Sequence, residues 1–222
     1  TSRSAFADMQ AWLLQTYPLL AANTRLEQIG AGSLLFTWQG SNRELDPVLL
    51  MAHMDVVPIA PREERKWQFP PFSGTLADGY VWGRGTLDTK GSMIAMLEAA
   101  ELLLSQGFKP ERSVLFSFGA DEEIGGYNGN RLVAEHLQQQ GTKLAWVSDE
   151  GGAITRGIIP GVNANVALVG IAEKGSVTLN VTASAIGGHS SMPQAFDETA
   201  IGRLSLSLQQ IGHHPFAAHI QG

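Results

Sequence analysis
His53 and Asp55, separated by one residue, stand at the end of an apolar run, Pro47-Val48-Leu49-Leu50-Met51-Ala52. Such a run reads as a buried strand. Side chains at i and i+2 share one face of a strand, so an imidazole and a carboxylate would lie side by side at its carboxyl edge. That pairing suits a metal-bound histidine oriented by an acid behind it. Alone, the tripeptide is more simply a strand end with two polar residues, but further acids change the balance. Asp88 precedes a long helical pattern, Asp121-Glu122-Glu123 follows an apolar run ending at Phe118, and Asp149-Glu150 follows Ser148. Each falls near the carboxyl end of an expected strand or in the loop beyond it, where open α/β sheets place their ligands.

So many carboxylates in one crevice would repel one another and raise each other's pKa values. A pair of divalent cations removes the conflict. Histidine and carboxylate donors suit zinc, with cobalt or manganese as alternatives, and two such ions can polarise a carbonyl and acidify a bridging water. The reaction class that follows is hydrolysis of an amide or a similar acyl bond. Because Glu122 and Glu123 are adjacent in a loop, one can ligate while its neighbour serves as general base. Taken singly, the Asp-Glu-Glu triplet is also what a solvated loop looks like, and Asp88 is also a helix N-cap.

The elements that must position these residues follow from the hydrophobic pattern. Ser4 to Leu20 carries apolar residues at helical spacing and predicts one amphipathic helix. Strands are expected at Leu26 to Ile29, at Ser33 to Trp38 and in the run ending at His53. A proline-rich loop from Pro58 to Gly79 holds Trp67, Phe69 and Phe72, which with Trp82 would form its packing core or line a pocket. Gly83-Arg84-Gly85-Thr86-Leu87-Asp88-Thr89-Lys90-Gly91 then opens a helix from Ser92 to Ser105, stopped by Gly107 and Pro110. A strand at Ser113 to Phe118, a helix at Asn130 to Gln140 and a strand at Leu144 to Ser148 complete an α/β pattern with a mainly parallel mixed sheet. Beyond about residue 170, alternation over Ser176 to Thr182, a glycine-rich turn with His189 and a helix from Glu198 to Ile211 predict the start of a second, α+β domain.

With 222 residues, 44% of them hydrophobic, and a net charge of −6, the chain has room for one substantial core, or one domain and part of another. Its scattered basic residues make neither nucleic acid nor an anionic membrane surface an expected partner. The absence of cysteine rules out disulfides, a thiolate nucleophile and a cysteine zinc site, so any metal must be held by His, Asp and Glu. No apolar stretch approaches the roughly 20 residues of a membrane span, and a soluble protein is the expectation, its compartment left open with the cytoplasm slightly favoured, and an upstream leader before Thr1 left open as well. Gly83-x-Gly85 with Lys90 lacks the ending of a phosphate loop, and Gly188-His189-Ser190-Ser191 is not a serine nucleophile elbow.

Five motifs in order, Ala52-His53-Met54-Asp55-Val56-Val57-Pro58, the Gly83 to Gly91 stretch, Asp121-Glu122-Glu123-Ile124-Gly125-Gly126, Ser148-Asp149-Glu150-Gly151-Gly152 and Gly187-Gly188-His189-Ser190-Ser191-Met192-Pro193, resemble the M20 family of co-catalytic zinc metallopeptidases. The likeness is strongest to its carboxypeptidase S and aminoacylase-1 group. It implies a three-layer zinc-peptidase-like catalytic domain over residues 1–170 and the beginning of a lid, or dimerisation, domain over 171–222. It further implies two Zn²⁺ per active site, with His53 binding one, Asp55 orienting it, Asp88 bridging both and Glu123 a ligand. Glu122 would be the general base. The next ligand would be Asp149 or Glu150, with Asp149 preferred. His189 would stabilise the oxyanion from the lid, often across a homodimer interface.

The implied activity is hydrolysis of small peptides or N-acyl amino acids. Family members are longer, and the rest of the lid, the return into the catalytic domain and a C-terminal histidine ligand have no counterpart here. His213, His214 and His219 sit in no matching motif. The chain is therefore expected to be a fragment, incomplete as a catalyst, and the competing expectation is a non-catalytic protein that keeps the fold for binding or assembly.

Overall fold
The computed structural model describes residues 3–151, 153–171, 175, 177–189 and 191–215. They fall into two units, Thr1–Val169 and Gly170–Gly222.

The first unit is built on a five-stranded sheet. Its strands are β1 (Arg25–Ile29), β2 (Ser33–Trp38), β3 (Val48–His53), β6 (Val114–Gly119) and β7 (Trp146–Ser148), in the spatial order β1-β2-β6-β3-β7. The β1–β2 and β2–β6 pairs are antiparallel, whereas β3 lies parallel to both β6 and β7. Helices α1 (Arg3–Thr16), α2 (Pro18–Asn23) and α4 (Gly91–Ser105) supply one apolar layer and α5 (Asn130–Gln139) supplies the other. Alternation along β2 shows why: Leu34, Phe36 and Trp38 join the core with α1, α2 and α4, while Leu35 between them joins Val133 and Leu137 of α5. Met93, Leu97 and Ala100, one turn apart on α4, are its buried face.

The single expected first helix is two. Pro18 disfavours the α region for the residue before it, and Tyr17 accordingly takes φ −115° and ψ 67°. The second helix then starts afresh, with the Glu101 carboxylate accepting the backbone N–H groups of Leu19 and Leu20 at 2.9 and 2.8 Å. The proline-rich segment also has structure of its own. It holds a short helix α3 (Pro61–Glu64) and a hairpin of β4 (Thr75–Ala77) and β5 (Tyr80–Trp82). Phe69 packs on Trp82 with ring centroids 5.4 Å apart, and the Arg84 guanidinium stands 5.5 Å from the centre of the Trp67 ring. Those aromatics are thus mainly the segment's own packing.

A second hairpin, β8 (Ile154–Arg156) with β9 (Asn165–Ala167), ends the first unit. In the second unit α6 (Ala200–His213) is capped by Thr199, whose hydroxyl accepts the Gly202 N–H at 3.0 Å. The strand expected over 176–182 is not observed among its described residues, 177–182. Alternation needs a neighbouring ladder to become a strand, and Val177 and Leu179 lie exposed without one. No helix among the described residues is long and apolar enough to cross a membrane.

Candidate metal centre
Parallel pairing brings the chemistry to one edge of the sheet. His53, the last residue of β3, is level with Gly119, the last of β6, and the loop bearing Glu122 follows directly. Glu150 lies two residues beyond the end of β7. Asp88 arrives from the irregular turn before α4, where its φ of −116° and ψ of 95° are non-helical and Lys90 occupies the N-cap position. Asp88 is therefore not the helix cap.

His53 is buried, with only 2% of its surface exposed. Its Nδ1 lies 3.0 Å from the backbone carbonyl oxygen of Asp55, which can only accept, so Nδ1 carries the proton. Nε2 faces Asp88 Oδ1 at 3.1 Å, Glu150 Oε2 at 3.4 Å and Glu122 Oε2 at 3.8 Å. The Asp55 carboxylate, itself buried, sits 3.4 Å from Nδ1 and accepts the backbone N–H groups of Glu122 and Glu123, both at 3.1 Å. One acid thus ties the histidine to the loop that carries Glu122.

The electrostatics of this cluster are those of a site short of positive charge. Burial pushes the Glu122 carboxyl up; His53 opposes this, and Glu123, Asp55 and Asp88 add to the rise. Glu150 is likewise raised by burial, against His53 and with help from Glu122, Asp88 and Asp149. Burial alone would lower His53, but the Asp55 carbonyl, Glu150, Asp88 and the Asp55 carboxylate outweigh it and the imidazole is raised.

Donor atoms of His53, Asp88 and Glu150 lie within 4.8 Å of one another. The 3.1 and 3.4 Å separations from Nε2 are close to the edge of about 3.4 Å that a tetrahedron of ligands has when each metal–ligand bond is about 2.1 Å. An imidazole whose Nε2 faces carboxylates at ligand spacing, with Glu150 among them raised by burial, fits a divalent cation such as zinc.

Not every acid expected here joins that group. Glu123 Oε1 accepts the Val57 N–H at 3.1 Å, and Asp149 Oδ1 accepts the Glu150 N–H at 2.8 Å, so both are held by backbone donors outside it. His189 belongs to the second unit, where its Nδ1 is 2.6 Å from the Ser191 hydroxyl. His214 Nδ1 bonds the Gln210 carbonyl at the end of α6, and His219 lies outside the described residues.

Two further residues bear on the site. Asp121 is buried and holds the loop through Oδ2, which accepts the Asn128 N–H at 2.8 Å. Lys90 is pulled down by burial against the opposing charges of Asp55 and Glu123. The only sequence signal for either was its place inside a motif.

Residues 49–219 match the model of peptidase family M20/M25/M40. The chain is 44% identical over 210 residues to N-fatty-acyl-amino acid synthase/hydrolase PM20D1 of Xenopus tropicalis, covering 94% of this chain and 40% of that protein. It is 41% identical over 212 residues to probable carboxypeptidase S-like 2 of Dictyostelium discoideum, covering 95% of this chain and 40% of that one. The chain therefore spans about two fifths of the length of these relatives.

Among solved structures, its fold is similar to an M20 family metallo-carboxypeptidase, Sso-CP2, from Sulfolobus solfataricus, with a TM-score of 0.54, 23% identity and coverage of 68% of this chain and 32% of that one. Human carnosine dipeptidase 1 gives a TM-score of 0.54 at 20% identity, over 65% of this chain and 33% of that one. Sheet-edge histidine, clustered carboxylates and an ordered set of motifs converge on one conclusion: the chain belongs to peptidase family M20/M25/M40.

Proposed function
We propose that this chain carries the metal-binding core of a hydrolase that cleaves the amide bond of N-acyl amino acids or small peptides. The observation that carries the reading is the His53 imidazole, protonated at Nδ1 toward the Asp55 carbonyl and open at Nε2 toward Asp88, Glu150 and Glu122. His53, Asp88 and Glu150 would hold the metal, with Glu123 and Asp149 as the further carboxylates available to a second ion. Two Zn²⁺ suit this donor set, and Co²⁺ or Mn²⁺ are chemically acceptable. Bound there, such ions supply Lewis acidity toward a carbonyl and lower the pKa of a water.

The remaining chemistry falls to side chains. Glu122, its carboxyl raised and 3.8 Å from the histidine, takes a proton from the attacking water and returns it to the departing amine. Asp55 keeps the imidazole in its metal-binding tautomer and fixes the Glu122 backbone, so that ligand and base hold one register. His189 would stabilise the oxyanion from the second unit, and a homodimer through that unit is the matching assembly. The names of the relatives, one a synthase/hydrolase of N-fatty-acyl amino acids and one a probable carboxypeptidase, support both substrate classes.

The test is metal analysis of the purified protein with a panel of N-acyl amino acids and dipeptides. Glu122→Gln should keep the metal and lose on the order of 10²- to 10⁴-fold in kcat. Unchanged turnover in that variant would remove Glu122 from the mechanism.

A further inference from the structure
Among the described residues no hydrogen bond fixes the Glu122 carboxylate, so the backbone decides where that side chain can reach. Asp55 grips this backbone through the Glu122 and Glu123 N–H groups. Asp121, the residue before the base, supplies a second hold.

Asp121 is buried, and its backbone carbonyl accepts the Ile124 and Gly126 N–H groups at 3.3 and 2.8 Å, closing the turn that carries Glu122 and Glu123. Its side chain reaches further along the chain, Oδ2 accepting the Asn128 N–H at 2.8 Å. Asn128 is anchored in its turn. Its carbonyl oxygen accepts the Ala31 N–H at 2.7 Å between β1 and β2, and the Gly32 carbonyl beside it accepts the Gln10 side-chain amide of α1 at 2.8 Å. A line of hydrogen bonds therefore runs from α1 through the β1–β2 turn to the residue beside the base.

Two glycines let that line close. A Cβ on Gly30, where φ is 60°, would lie 2.0 Å from the Asn128 carbonyl oxygen, and one on Gly129 would lie 2.1 Å from Asp121 Oδ1. This Oδ1 is buried without a hydrogen-bond partner. An oxygen so placed costs stability, and folds bear such local costs chiefly at functional positions. With one oxygen on Asn128 and the other against Gly129, the carboxylate is engaged with the loop rather than with a metal.

We propose that Asp121 is a positioning residue, which places the Glu122 base by tying its turn, through Asn128, to the β1–β2 turn. This role rests on Glu122 as the base. It asks for one acceptor atom at one place, which an asparagine also offers and an alanine does not. Displacing a reacting group by about 1 Å can cost on the order of 10²-fold in rate, so the effect falls on kcat.

Steady-state kinetics, zinc competition and hydrogen exchange of the zinc-free protein test this together. Asp121→Ala should lower kcat tenfold or more, with KM within threefold and zinc affinity within twofold of the parent. Asp121→Asn should restore kcat to within threefold. In a Glu122→Gln background Asp121→Ala should cost no more than a further twofold, since it acts through that carboxylate. Without zinc, Asp121→Ala should speed exchange of the Glu122 and Asn128 amides at least tenfold. An unchanged kcat, a zinc affinity that falls in step with kcat, or an Asp121→Ala effect that persists in full beside Glu122→Gln would overturn the proposal. Turnover unchanged in Glu122→Gln alone would instead sink the base assignment, and unchanged exchange at the Glu122 amide sinks the tether whether or not the protein turns over. Should Asp121→Ala fail to fold, Asp121→Ser, whose hydroxyl stops one bond short of the carboxylate's reach, carries the same expectations.

Discussion
Asp55→Asn is the substitution that most directly tests how the centre is organised. The two Asp55 oxygens each accept one backbone N–H, from Glu122 and from Glu123, while the same carboxylate lies 3.4 Å from His53 Nδ1. An asparagine amide keeps one acceptor and turns the other position into a donor facing an N–H. One buried donor then goes unpaired and one charge-assisted bond becomes neutral, a loss of about 1 to 3 kcal/mol of folding stability. The substitution also removes the negative charge behind the imidazole. Loss of such an outer partner typically weakens metal binding 10- to 100-fold, which is about 1.4 to 2.7 kcal/mol.

These two losses are separable. Urea unfolding in excess chelator reads the first without metal, and competition against a calibrated zinc chelator reads the second. The expected result is a lower midpoint at unchanged slope and a zinc dissociation constant raised at least tenfold. If chelated Asp55→Asn unfolds like the parent and binds zinc within twofold of it, Asp55 neither ties the loop nor orients the histidine.

Other outcomes follow from the same structure. Burial and the Glu98 carboxylate push the Tyr17 phenol from 10.0 to about 12, so the folded state holds this proton more tightly than the unfolded chain. Its stabilisation, on the order of 2 kcal/mol, is complete below pH 10 and lost as pH rises from 10 toward 12. Urea midpoints measured across that range should fall less steeply in Tyr17→Phe, and an identical slope would refute the contribution. Leu97→Ala removes a fully buried side chain of α4 from the main core and should cost about 2 to 5 kcal/mol by chemical denaturation. Gly85→Ala combines a φ of 87° with a Cβ placed 2.4 Å from Val56 Cγ1, and should lower the thermal midpoint more than Gly107→Ala, where φ is also positive but no atom lies within 4 Å. Zinc at 100 times its dissociation constant should raise stability by about 2.7 kcal/mol, an increment that Glu150→Gln reduces if that carboxylate is a ligand.

The elements that carry the site were the most legible part of the chain, for a physical reason. β3, β6 and α4 are long, apolar and bounded by glycine or proline, and both sheet faces are covered, so their sequence shows core rather than alternation. Where local chemistry and hydrophobic spacing disagree, the spacing misleads. Leu20 continues the apolar stripe of α1 and is buried, yet Pro18 ends that helix beneath it. Residues 177–182 alternate as a strand would, but a strand is a property of a pair, and nothing in a single segment states that its partner is present.

The centre divides along a similar line. That acids would gather at the carboxyl ends of β3, β6 and β7 follows from topology, and a sequence with strands of that order reveals it. Which member of an adjacent pair turns inward does not follow, because the period of two lapses once the strand ends. The structure suggests what decides it instead. Glu123 is held by the Val57 N–H and Asp149 by the Glu150 N–H, while among the described residues no such backbone donor meets the carboxylates of their neighbours Glu122 and Glu150, which turn toward His53. In each pair the carboxylate with a backbone donor at hand satisfies itself there, and the other is left to meet the imidazole. A metal ion competes with those donors directly, so zinc binding should draw Glu123 off the Val57 N–H. Protection of that amide against hydrogen exchange would then fall on adding zinc, and protection that stays constant or rises would show that Glu123 remains an anchor rather than a ligand.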